Sequence, residues 1–97
     1  MEDGERDLRH AAAVLHFYAC QARRGWRHQA VDPDFCLSAA GRLLELDLEW
    51  LSLRDILLLR RVADVMVCAE PNGFGLTARN LRRFANAAAA PPDDRPR

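Results

Sequence analysis

His16, Cys20, His28 and Cys36 carry the most metal-ligating character in this chain of 97 residues. The gaps between them are 3, 7 and 7 residues, which match no usual zinc spacing. A helical histidine beside a small apolar cysteine is ordinary packing, so no metal ligand set and no cofactor is expected. Asp47, Glu49 and Asp55 lie close in sequence, yet a charged helix edge is usually solvated surface. No Gly-rich phosphate loop, nucleophile elbow or paired acid–base motif occurs. No catalytic residue is assigned, and the chain reads as non-enzymatic. Arg79, Arg82 and Arg83 share one helical face and, with Arg23, Arg24 and Arg27, form the candidate phosphate contacts. Against them stands a net charge of zero, with 14 basic and 14 acidic residues. That balance disfavours a protein that grips nucleic acid or anionic lipid non-specifically.

The composition, 49% hydrophobic and 29% charged, belongs to the ordinary globular class. Every basic residue is Arg and none is Lys. GC-rich coding accounts for this most simply; selection against ubiquitin acceptors or for bidentate Arg contacts is the alternative. Cys20, Cys36 and Cys68 are odd in number and sit in apolar helical patterns, as expected of reduced thiols acting as small hydrophobes. The mixed charges of residues 1–10 leave no apolar core for a secretory signal. No apolar run approaches the roughly 18 residues of a membrane span. A soluble protein inside the cell, in nucleus or cytoplasm, is the expectation.

The elements are all helical. Residues 1–5 are expected to be disordered, residues 6–90 to form a single helical domain, and the Pro-rich tail 91–97 to be disordered. Over residues 6–24, Leu8, Ala11, Ala12, Leu15, Tyr18, Ala19 and Ala22 recur at helical spacing, and Gly25 ends the run. Pro33 forces Asp32 out of the helical region, and either Asp32 or Asp34 can cap the next helix. Thr77 is expected to cap a last helix whose inner face is Leu81, Phe84, Ala85 and Ala88.

Between these lies the stretch 35–70. One apolar stripe runs Leu37, Ala40, Leu44, Leu48, Leu51, Leu58, Val62, Met66 and Ala69; a second runs Leu43, Leu46, Trp50, Leu53 and Leu57. A surface helix has one apolar face, so this stretch calls for cover on both sides. Leu44, Leu48, Leu51, Leu58, Val62 and Met66 are therefore the expected partner-binding residues. Each buried side chain of this kind is worth roughly 1.5–3 kcal/mol, so Leu51→Asp or Leu58→Asp is expected to abolish assembly. Ser52-Leu53-Arg54-Asp55 has the form of a capping box, which would divide the stretch into two helices. The absence of Gly and Pro between Arg42 and Glu70 favours one helix.

Helix, long central helix and short helix in this order resemble the histone fold. Gly75 to Ala85 is similar to that family's last loop and third helix, and Leu8 to Gln21 to the first helix of its small centromeric and transcription-factor members. The resemblance implies two chains clasped through their central helices, within a chromatin or transcription complex. Trp50 to Val62 resembles the middle of an F-box, which implies an adaptor that recruits a partner to a ubiquitin ligase. The region from Leu37 to Arg61 resembles the MOZART microtubule-nucleation adaptors. Both adaptor readings need a turn near Ser52. Leu59 to Met66 is similar to a death-motif helix, and Met66 to Glu70 to a retinoblastoma-pocket peptide; an ordinary core helix is the preferred reading of both segments. These readings share one expectation, a protein partner or a second copy. The fold class is all-α, either three helices or a four-helix bundle if the stretch breaks near Ser52.

Overall fold

A computed structural model describes residues 2–90, and within them every regular element is a helix. The order is α1 Glu2–Arg23, α2 Pro33–Glu45, α3 Leu53–Ala69 and α4 Gly75–Ala89. Helix α1 begins at Glu2, so residues 2–5, expected to be disordered, are helical, and Gly4 is buried. The expected disorder at Met1 and at 91–97 lies outside the described residues.

One glycine ends α1. Gly25 takes a φ of 105°, which lets its N–H reach the Ala22 carbonyl and the Trp26 N–H reach that of Gln21. Both bonds satisfy carbonyls that the helix end would orphan. Asp32, not Asp34, caps α2: its carboxylate accepts the Asp34 N–H at 3.1 Å, with Pro33 at the helix start. Thr77 does not cap α4. The preceding residue Phe74 holds the cap position without a side-chain bond. The Thr77 hydroxyl is instead buried within the helix and hydrogen-bonded to His10 Nδ1 of α1 at 2.8 Å.

The stretch 35–70 is two helices, not one. Ser52 Oγ accepts the Asp55 N–H at 3.2 Å, and the Asp55 carboxylate accepts the Ser52 N–H at 3.1 Å. This reciprocal cap starts α3 without help from Gly or Pro. The break also resets the helical phase. In α2 the buried face is Cys36, Ala39, Ala40 and Leu43; in α3 it includes Ile56, Leu59, Val62, Ala63 and Met66. Two apolar stripes on one imagined helix thus become one inner face on each of two real ones. The uninterrupted central helix of the histone-like layout is not formed.

Side-chain bonds give the packing. Asp64 pairs with Arg82 at 2.6 Å and Asn86 with Arg60 at 3.0 Å, so α3 and α4 are antiparallel. The Asn80 amide donates to Asp7 at 3.0 Å, and with His10 and Thr77 this sets α1 antiparallel to α4. Arg42 reaches Asp55 from α2 to α3. The result is an up-down-up-down four-helix bundle. Helix α1 packs closely on α2 and α3 on α4, α1 also meets α4, and α2 and α3 stand further apart. Ala11, Ala39, Ala63, Ala78 and Ala85 are buried where the helices meet, and their small side chains permit the close approach.

Candidate protein-docking groove

The connection from α2 to α3 builds one wall of a groove. Asp47 Oδ1 accepts the Glu49 N–H and the Asp47 carbonyl accepts the Trp50 N–H, both at 2.9 Å. This side-chain-supported turn presents Trp50 outward, and the indole is 80% exposed. Leu48 and Leu51, on either side of it, are half-buried. The opposite wall is α4, contributing Leu76, Phe84, Ala87 and Ala88, with Gly4 and Asp7 of α1 between. Leu76 is 70% exposed although it lies beside buried Thr77 and Ala78.

The space enclosed is about 1040 Å³. Asp7, Glu49, Ser52, Asn80 and Arg83 add polar groups to its lining. A patch of apolar side chains interleaved with a few polar groups suits a protein interface, and tryptophan is enriched among the energetic anchors there.

Of the six residues expected to bind a partner, Leu48 and Leu51 line this groove. Leu44 is 63% exposed, on α2 and outside the groove lining. Leu58 is half-buried and lines the gap between α2 and α3. Val62 and Met66 are fully buried in the core of this chain, so an outside partner cannot touch them while the bundle is closed. The phase reset at Ser52 is the reason: with α3 starting afresh, both residues turn inward.

The arginines also separate. Arg83 lines the groove, Arg82 is paired with Asp64, and Arg79 is exposed. Arg23 lies sixteen positions along α1 from Asp7, the neighbour of Asn80, roughly 24 Å along the helix. The two arginine groups therefore do not form one phosphate-binding surface. Among the described residues no three His, Cys, Asp or Glu side chains converge as metal ligands, and no helix is long and apolar enough to cross a membrane.

The death-motif-like and retinoblastoma-like segments are parts of α3. Leu59 of the first is buried and Asp64 is paired with Arg82; the second is helical through Ala69, whereas that kind of peptide must be extended. Sequence reasoning missed Trp50, Leu76 and Phe84 as groove residues. Asp47, three positions before Trp50 and flanked by Leu46 and Leu48, was the available signal for a turn rather than a helix.

The remaining perturbed groups are structural. Burial pushes the Tyr18 phenol up, and the nearby Glu70 carboxylate adds to the effect. Burial likewise raises the Cys36 thiol, with Asp32 adding to it against an opposing Arg61. A raised thiol is a poor nucleophile, consistent with Cys36 as packing. Compared with known proteins, the chain matches no family model, no curated protein and no solved structure.

Proposed function

We propose that this chain is a non-enzymatic interaction module that docks a protein, another chain or a second copy of itself, in the groove between Trp50 and α4. The observation that carries the reading is the placing of Trp50, the most exposed large apolar side chain among the described residues at 80%, at the edge of a groove of about 1040 Å³. Burying an indole in a partner returns far more free energy than leaving it in water, and no packing role inside this chain requires that position. The turn at 46–52 also favours an adaptor reading, in which the module recruits a partner to a ubiquitin ligase or regulatory complex, over a self-clasping chromatin or transcription subunit. Both adaptor resemblances call for a turn near Ser52, and the histone-like one does not.

Light scattering of the purified chain over a concentration series tests the self-docking form. A mass near twice 11.0 kDa that returns to a monomer in Trp50→Arg supports it. A monomer at every concentration removes the second copy and leaves a different protein as the occupant. A dimer unaffected by Trp50→Arg places the contact elsewhere and contradicts the groove reading.

A further inference from the structure

We infer that the open gap between α2 and α3 is a second docking surface, and that it takes an acidic amphipathic helix. This inference stands apart from the groove at Trp50: of the residues lining the two spaces only Ser52 is shared. These two helices are bridged by Arg42 on Asp55 and by Arg61 on Phe35, and otherwise stand further apart than α1 from α2 or α3 from α4. The gap measures about 570 Å³, and Phe35, Ala39 and Leu58 supply its apolar lining.

Charge names the occupant. Arg54, Leu58 and Arg61 stand at i, i+4 and i+7 on α3, so they share one face, with the arginines roughly 10.5 Å apart. Arg42 adds a third guanidinium from α2, but it is occupied by Asp55 and by Glu45 at 3.7 Å. Asp55 in turn is buried and used by Ser52 and Arg42. Arg54 and Arg61 have no ion-pair partner among the described residues.

Arg61 is also held in place. Its guanidinium lies 3.8 Å from the centre of the Phe35 ring, and a stacked guanidinium keeps its edge N–H groups free for a carboxylate. Apolar floor and two arginines two turns apart complement a helix with apolar side chains on one face and carboxylates at i and i+7 beside it. Nucleic acid fits less well, since the chain carries no net charge and Leu58 stands between the two arginines on the same helix face.

The test uses a fluorescent synthetic helix with leucine on one face and glutamate flanking it, and a copy with lysine in place of glutamate. Anisotropy titrations are run against the full chain at low and moderate salt. The expected result is saturable binding of the glutamate peptide only. Combined Arg54→Glu and Arg61→Glu should weaken it by about tenfold or more, since each 1.4 kcal/mol is a factor of ten, and should admit the lysine peptide. Arg54→Glu alone, at an exposed position, keeps the test open if the double variant is not folded by circular dichroism. Arg9→Gln, at an exposed position that lines neither space, should leave peptide binding unchanged. No binding, equal binding of both peptides, loss in Arg9→Gln, or a labelled single-stranded DNA binding with the same arginine dependence would each overturn the inference.

Discussion

Asp55 has two roles: it caps α3 and pairs with Arg42 of α2, both from a position only 5% exposed. Burial pushes its carboxyl up, but hydrogen bonds from Ser52 and the Arg42 guanidinium outweigh that and hold it below its ordinary value. That lowering sets the sign of the pH dependence. The unfolded carboxyl titrates near about 3.9, so the stabilisation is present above that pH and is lost as pH falls through the lower, folded value. Asp55→Asn should cost about 1–3 kcal/mol in urea unfolding at neutral pH, and the gap from wild type should close in acid. A gap that persists below both values would mean packing, not charge, is responsible. Tyr18 is the opposite case. Its buried hydroxyl has no hydrogen-bond partner among the described residues, so Tyr18→Phe should leave stability unchanged or raise it by about 1 kcal/mol; a clear loss would reveal a bound partner for that oxygen. The phenol is raised, so stability should hold up to about pH 10, where the unfolded phenol titrates, and fall above it. Tyr18 is the sole tyrosine, so phenolate absorbance reads it directly and should appear with unfolding rather than before.

At the scale of elements, the turn at 46–52 decides the fold. Helix propensity alone favoured continuity through Ser52, because no Gly or Pro interrupts the stretch. The capping box won because it satisfies two helix-start N–H groups at once and lets both apolar stripes face one core. Ser52→Ala should therefore cost about 1 kcal/mol of stability by thermal or urea unfolding, a loss much larger than an exposed serine outside a cap would show. Its absence would mean that packing of α3 alone sets the break. The boundary before the stretch was legible from sequence because local signals mark it: Gly25 after the first apolar run and Pro33 after Asp32. Sequence did not reveal which stripe points inward. A shift in helical phase at one turn exchanges Leu43, buried, with Leu44, exposed, and sends Val62 and Met66 into the core. Thr77 misled for a related reason: a hydroxyl near a helix start reads as a cap, and only the register of α1 against α4 brings it to His10.

At the scale of the molecule, the bundle closes its own core and leaves two candidate docking sites among the surfaces of the described residues. One is the groove between the 46–52 turn and α4, edged by Trp50; the other is the gap between α2 and α3, flanked by arginines. Trp50 contributes little to the bundle itself, so Trp50→Ala should change stability by no more than about 0.5 kcal/mol. Leu43→Ala, at a fully buried site, should cost about 2–5 kcal/mol. That contrast separates the residues that make the fold from those proposed to face a partner. The groove is tested most directly by placing a photo-activated crosslinking amino acid at one position at a time in the cells that make the protein. Positions 50 and 76 are compared with exposed Arg9 and Arg24. Discrete adducts from positions 50 and 76 alone, of twice the chain's mass or with another protein, are the predicted result. Adducts from Arg9 or Arg24 with none from 50 and 76, or no adduct at any position, would contradict the account.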